Sequence, residues 1–107
     1  MKVKISQLRE LTNKTLGRYG YSEEEAKIIS EVLLYAQLRG NNQGVVKLIG
    51  KGIPKRDGAQ ASKIVKETPV SALVDGHKTH AMIVMNFIAE LAIKKAKESG
   101  IGIAGNF

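Results

Sequence analysis

The segment at residues 79–99 constrains the fold most, because apolar residues occupy nearly every side of a helix drawn through it. The residues that make this pattern are Met82, Ile83, Met85, Phe87, Ile88, Ala89, Leu91, Ala92, Ile93 and Ala96. A helix that is apolar on several sides is buried on more than one of them. Only its last two turns, which include Lys94 and Lys95, are expected to face solvent. The segment therefore predicts a helix that packs against a sheet on one side and against further protein on the other.

The sequence on either side of this helix changes to a β pattern, which predicts a mixed α/β (α+β) fold. Strands are expected near Ile64–Glu67 and Ser71–Val74, with a break at Thr68-Pro69 and a turn at Asp75-Gly76. Gly100 is expected to end the helix, and the apolar "IGIAG" that follows it indicates another strand. Residues 61–107 are thus predicted to be a β-hairpin, a buried helix and the first strand of an α/β domain that is incomplete.

Residues 1–60 are predicted to form a helical subdomain. A first helix is expected from Ser6, as its N-cap, to about Tyr19, with Leu8, Leu11 and Leu16 on its apolar face. In the second helix, Ser22 and Glu25 have the spacing of a capping box, and Gly40 is expected to end it. A short third helix is expected in "GVVKLIGK", with Val45, Leu48 and Ile49 facing inward.

Length, composition and charge limit the classes of function. A chain of 107 residues with 43% hydrophobic residues and no cysteine is expected to be one globular domain or part of a larger one, without disulfides or thiolate metal sites. No apolar run is long enough to span a membrane and no signal sequence is evident, so the cytoplasm is the expected location. The net charge is +7, and basic residues cluster between Lys47 and Lys66. Because no aromatic residue lies among them, the pattern argues against nucleic-acid binding. A small basic interaction or dimerisation module that binds an acidic partner or nucleic acid remains the alternative.

The sequence contains two histidines that could bind a metal ion. His77 and His80 are three residues apart at a predicted turn and helix start. Asp75 is the only carboxylate close to them in sequence, which leaves the set short of a complete site. We therefore predict no metal site.

The stretch "LRGNNQGVVKL" at residues 38–48 is the candidate functional site. Arg39 suits a helix end, where a cation is favoured, and Asn42 suits a turn. Gln43 and Lys47 lie four residues apart, so a helix through both would project them from one face, where together they could hold a carboxylate. A plain helix stop followed by a polar turn explains the same residues.

Four stretches, in this order, carry a resemblance to known proteins: "ISQLRELTNKTLGRYGYSEEEAKIISEVLLYAQLRG", "GVVKL", "ETPVSALVDG" and "AELAIKKAKESGIGI". Through them the chain resembles the N-terminal portion of the malate/L-lactate dehydrogenase family of the second type, which includes sulfolactate and ureidoglycolate dehydrogenases. It implies an α/β fold other than the Rossmann type, NAD or NADP as cofactor, a small 2-hydroxy or 2-keto acid as substrate, and a homodimer. It also implies that the chain is truncated and inactive alone.

The resemblance assigns roles to the candidate site and shows where this chain departs from the family. Gln43 stands at the position of the family's acid/base histidine and Lys47 at that of its carboxylate-binding arginine, after a turn one residue shorter. Glutamine can orient a carbonyl oxygen but cannot relay a proton. Lysine can pair with a carboxylate but cannot form the bidentate hydrogen bonds that a guanidinium forms. Either another residue supplies the proton, or the chemistry of this branch differs or is lost.

Overall fold

The computed structural model describes residues 2–107, and the chain divides into two compact units, the first ending at Lys55 and the second beginning at Arg56. The first unit contains three helices, α1 (Ile5–Arg18), α2 (Glu23–Leu38) and α3 (Val46–Gly50). The second unit contains three strands and one helix, in the order β1 (Lys63–Glu67), β2 (Ser71–Asp75), α4 (Ala81–Ser99) and β3 (Ile103–Asn106). The predicted mixture of helices and strands is confirmed.

Helix α1 begins one residue before its predicted N-cap. Lys4 occupies the N-cap position without a side-chain cap, and the Leu8 N–H donates to the Lys4 carbonyl over 3.0 Å. The predicted cap at Ser6 is therefore wrong, because Ser6 lies inside the first turn. The apolar face was also misplaced in part: Leu16 is buried, whereas Leu11 is 63% exposed because α2 covers the side of α1 that bears Leu16.

The predicted capping box of α2 is confirmed. The Ser22 hydroxyl accepts the Glu25 N–H over 3.1 Å, and the Glu25 carboxylate accepts the Ser22 N–H over 3.0 Å. The same carboxylate accepts from Lys55 Nζ over 3.0 Å. Burial opposes the charged form of Glu25, but the hydrogen bonds from Ser22 and Lys55 outweigh it, so the pKa of Glu25 is lowered. The Glu25 side chain thus satisfies one helix-start donor and a cation, and the Ser22 hydroxyl satisfies a second donor.

The lowered pKa of Glu25 predicts a pH dependence of stability in the first unit. The stabilisation is fully present above the pKa that Glu25 has in the unfolded chain, about 4.3, and is lost as the pH falls through its lower folded-state value. Glu25→Gln keeps the acceptor of the capping box and removes the titration. We expect unfolding followed by tyrosine fluorescence to depend less steeply on pH below about 5 in this variant. Equal pH dependence in the two proteins would contradict the assignment.

The core of the first unit lies along the contact between α1 and α2. Its largest fully buried side chains are Leu16, Ile29, Leu33, Leu34, Thr12 and Ser30. The two hydroxyls in this set are satisfied within their own helices, since Thr12 Oγ1 donates to the Leu8 carbonyl and Ser30 Oγ to the Lys27 carbonyl. The interior therefore buries no unpaired hydroxyl at these positions.

The second unit is a three-stranded sheet in the order β1-β2-β3, with α4 packed on one face. Strands β1 and β2 are antiparallel with a bulge between Ile64 and Lys66, and β2 and β3 are parallel. Helix α4 makes the crossover between the parallel strands, as such a pair requires. Val74 of β2 packs with Val84 and Ile88 of α4 in the centre of this core.

A glycine sets the distance between α4 and the residues entering β3. A Cβ added at Gly102 would lie 2.1 Å from the Ala92 carbonyl oxygen and 2.9 Å from the Ala96 nitrogen. Both atoms belong to the backbone of α4, so neither moves without shifting the helix. The absence of a side chain at residue 102 is therefore a condition of this packing.

Helix α4 departs from its predicted burial in two respects. Met85 and Ile93 are 55% and 56% exposed, so the described structure covers the helix on one side rather than on several. Lys95, expected to face solvent, is buried: its Nζ donates to Glu67 Oε1 and to the Thr68 carbonyl, each over 2.8 Å. The hydrogen bond and the positive charge of Lys95 lower the pKa of Glu67. Lys95 thereby links α4 to the end of β1.

Candidate functional site

The candidate site begins where α2 ends. Arg39 occupies the C-cap, and Gly40, at φ +71°, takes the left-handed conformation predicted for a helix stop. The Gly40 N–H donates to the Gln37 carbonyl over 3.1 Å, and the Asn41 N–H donates to the Ala36 carbonyl over 3.0 Å. These two bonds satisfy carbonyls of the last turn and turn the chain back along α2.

The residues after this stop are held by side-chain bonds to the backbone. Asn41 Oδ1 accepts the Gln43 N–H over 2.8 Å, which closes a turn of the kind asparagine favours. Gln37 Oε1, from the last turn of α2, accepts the Val45 N–H over 3.1 Å. Gly44 is buried against the same residue of α2. We refer to residues 40–47, held in this way, as the amide loop.

Gln43 and Lys47 do not lie on one helix. Helix α3 begins at Val46, with Val45 as its N-cap, so Gln43 precedes the helix and the condition for projecting the pair from one helical face is not met. Val45 and Leu48 are buried as predicted, but Ile49 is 79% exposed and does not face inward. Helix α3 is only five residues long and is covered on the side that bears Leu48, which leaves Ile49 in solvent.

Three of the four predicted site residues are exposed on the amide loop. Gln43 Nε2 donates to Asn42 Oδ1 over 3.3 Å, so the two side-chain amides are hydrogen-bonded to each other. The Lys47 side chain is exposed and forms no ion pair with any residue in the range 2–107. An exposed amide pair and an unpaired ammonium on one short loop can offer hydrogen-bond donors and a positive charge to an anion.

The fourth predicted residue, Arg39, is held along α2. Its guanidinium lies 3.5 Å from the centre of the Tyr35 ring, and Nη1 donates to the Tyr35 carbonyl over 3.4 Å. This cation–π contact occupies one flat face of the guanidinium, which is then not available to stack on a ligand. The structure therefore brings Asn42 and Gln43 into contact and engages Arg39 with Tyr35.

His77 and His80 have structural partners. Asp75 Oδ1 accepts the His77 N–H over 2.9 Å, and Asp75 Oδ2 lies 3.7 Å from His77 Nε2. His80 is the N-cap of α4, and its Nδ1 accepts the Met82 N–H over 3.1 Å. Within residues 2–107 no group of three or more histidine, cysteine, aspartate or glutamate side chains is arranged to hold a metal ion. None of the helices in the same range combines the length and the apolarity needed to cross a bilayer.

Comparison with known proteins defines the class. The sequence profile of the family described as malate/L-lactate dehydrogenase matches residues 3–106, and this chain belongs to that family. It is 36% identical over 104 residues to the L-sulfolactate dehydrogenase of Methanocaldococcus jannaschii, a match covering 89% of this chain and 29% of that enzyme. It is 37% identical over 101 residues to the malate dehydrogenase of Pyrococcus horikoshii, a match covering 84% of this chain and 26% of that enzyme. The resemblance inferred from the sequence is confirmed.

Solved structures agree with the sequence comparison. The malate dehydrogenase structure from Pyrococcus horikoshii superposes with a TM-score of 0.84 at 32% identity, over 97% of this chain and 32% of that chain. The sulfolactate dehydrogenase structure from Methanocaldococcus jannaschii superposes with a TM-score of 0.80 at 34% identity, over 99% of this chain and 32% of that chain. The chain thus spans about a third of the length of the relatives that it matches.

Two residues that shape the amide loop were missed from the sequence, Gln37 and Gly44. Gly44 directly follows the amides, which is a signal for a close backbone approach. Gln37 gave no signal, because its partner lies eight residues away across a turn.

Proposed function

We propose that this chain is the N-terminal part of an NAD- or NADP-dependent oxidoreductase that interconverts a small 2-hydroxy acid and the corresponding 2-keto acid. The observation that carries the proposal is the family match across residues 3–106, which includes the amide loop. Malate and sulfolactate, named for the relatives, indicate an acid substrate of similar size. We further propose a cytoplasmic homodimer, a helical subdomain at residues 1–60, and the opening of the catalytic α/β domain at residues 61–107.

In this proposal the amide loop faces the substrate. Lys47 pairs with the substrate carboxylate, because its ammonium is exposed and has no carboxylate partner among residues 2–107. Gln43 Nε2 donates a hydrogen bond to the hydroxyl or carbonyl oxygen at C2, and Asn42 holds that amide. Arg39 contributes positive charge at the base of the loop from its place over Tyr35. Gln43 orients the oxygen and transfers no proton.

The residues that hold the cofactor are not assigned within this chain. Gly100 ends α4, Gly102 lies against α4 and Gly105 lies in β3. These glycines therefore do not form a phosphate-binding turn between a strand and a following helix. When bound in the whole enzyme, the nicotinamide supplies hydride exchange with the substrate. Within this chain, the amide loop would bind and orient the acid.

A chimera tests the proposal. Residues 1–107 of this chain would replace the matching segment of the Methanocaldococcus jannaschii L-sulfolactate dehydrogenase. We expect the folded chimera to quench or enhance NADH or NADPH fluorescence and to bind malate or sulfolactate. A chimera that is folded by circular dichroism and binds neither cofactor would contradict the proposal.

The role of Lys47 has a matched control in Lys51, which is also exposed and follows α3. In the chimera, Lys47→Met should weaken binding of the acid by about 10- to 100-fold, because a charge-assisted hydrogen bond is lost. Lys51→Met should leave acid binding unchanged. Equal effects of the two substitutions would show that general positive charge, not Lys47, attracts the acid.

A further inference from the structure

We infer that Gln37 is the positioning residue of the amide loop: it fixes Gln43 relative to α2 through the backbone of Val45. The exposed Gln43 amide sits between two tethers, one on each side. The first is the turn closed by Asn41, and the second is the hydrogen bond from the Val45 N–H to Gln37 Oε1. The link between this geometry and substrate binding rests on the proposed function. The two hydrogen bonds themselves do not depend on it.

The second tether joins the loop to a rigid element. Gln37 lies in the last turn of α2, whose backbone is fixed by the helix and its C-cap bonds. Its side chain reaches 3.1 Å from a nitrogen eight residues later in the chain. Val45 is 7% exposed, so its N–H needs a protein acceptor there. Because α3 starts at Val46, the Val45 N–H has no carbonyl partner within α3, and Gln37 supplies the acceptor.

Gly44 makes the tether possible. A Cβ at residue 44 would lie 2.7 Å from the Gln37 backbone nitrogen, 2.8 Å from its Cβ and 2.8 Å from its Oε1. All three atoms belong to the residue that accepts the Val45 N–H. A side chain at position 44 would therefore push the loop away from α2 and, at the same time, break the hydrogen bond between the Val45 N–H and Gln37 Oε1. Gln37 and Gly44 form one contact that places the neighbouring Gln43.

The test uses hydrogen exchange in the 107-residue chain. Gln37→Met keeps the length of the side chain and removes the acceptor, whereas Gln37→Glu keeps an acceptor oxygen. We expect Gln37→Met to speed amide exchange at Val45 by roughly three- to tenfold, in line with the loss of one hydrogen bond. Gln37→Glu should keep exchange near the wild-type rate. The Glu25 amide, held by Ser22 in the same unit, is the internal reference and should not change.

Two results would overturn the inference. One is unchanged Val45 exchange in Gln37→Met. The other is an equal acceleration at Val45 and Glu25, which would mean that Gln37 stabilises the unit as a whole without placing the loop. In the chimera, a positioning role further predicts that Gln37→Met weakens acid binding, that Gln37→Glu restores it, and that NADH binding stays the same.

The two proposals fail in different ways. Hydrogen exchange at Val45 does not depend on dehydrogenase activity, so a negative result there overturns the positioning role and leaves the proposed function intact. A folded chimera that does not bind cofactor, combined with faster Val45 exchange in Gln37→Met, contradicts the proposed function alone.

Discussion

Replacing Gly102 by alanine is expected to destabilise the second unit strongly, although the change adds only one methyl group. The added Cβ would lie 2.1 Å from the Ala92 carbonyl oxygen, well inside contact distance, and the obstacle is the backbone of α4. Relief requires α4 and β3 to separate, which would also loosen the parallel pairing of β3 with β2. We expect a loss of about 3 kcal/mol in the free energy of unfolding of this unit, at the upper end of overpacking costs.

Gly105→Ala is the matched control for Gly102→Ala, because it adds the same methyl group in the same segment. A Cβ at Gly105 meets no atom within 4 Å. Far-ultraviolet circular dichroism would follow the unfolding of both units. Tyrosine fluorescence reports on the first unit alone, because Tyr19, Tyr21 and Tyr35 all lie there, and so identifies the part of the transition that belongs to the second unit. Similar midpoints for the two alanine variants would show that α4 and Gly102 are not in such close contact.

Replacing Gln43 by histidine is expected to have the largest effect on activity. In the proposed role, Gln43 would orient the substrate oxygen in the chimera, but an amide cannot take its proton. A histidine on the same exposed loop supplies a base whose ordinary pKa is near 6.5. We expect oxidation of the 2-hydroxy acid to become faster by about 10²- to 10⁴-fold, the usual contribution of a positioned general base.

The pH profile distinguishes proton transfer from improved binding. Because oxidation needs the neutral imidazole, the rate of the Gln43→His chimera should rise with pH through about 6.5 and then level off. Gln43→Asn, which keeps an amide, is the control and should show neither the gain nor the new pH dependence. A histidine variant no faster than the asparagine variant would mean that position 43 does not reach the reacting oxygen.

Local signals in the sequence predicted the element ends better than the buried faces. The capping box at Ser22 and Glu25 and the stops at Gly40 and Gly100 were predicted correctly, since each depends on bonds within a few residues. The face assignments of Leu11 and Ile49 failed because burial depends on which neighbour covers a helix. A helix of apolar residues does not by itself specify that neighbour.

Lys95 illustrates the limit more sharply. Nothing near it in sequence indicates burial, since it lies among charged residues at the end of α4. Its partners, Glu67 and the Thr68 carbonyl, are 28 and 27 residues away in the sequence. They contact Lys95 only because α4 packs against the sheet. A buried ammonium is tolerated because charge and hydrogen bonds are both satisfied there.

The residues of the candidate site remain a prediction, whereas the structure defines the geometry of the loop that carries them. The family resemblance pointed to Gln43 and Lys47, and the turn residues indicated an exposed loop. A single helix through both residues, which would have placed them on one face, does not form because α3 starts only at Val46. What places the loop is a glutamine on the preceding helix, and a long side chain that bonds across a turn leaves no pattern in the local sequence.

The contact between Gln37 and Gly44 also bears on how this chain can evolve. A larger residue at position 44 would meet the backbone nitrogen of Gln37 as well as its side chain, so no substitution at position 37 makes room for it. Position 44 is therefore expected to stay glycine for as long as the amide loop lies against α2. A histidine introduced at position 43 would enter a loop that Gln37 and Gly44 already hold against α2.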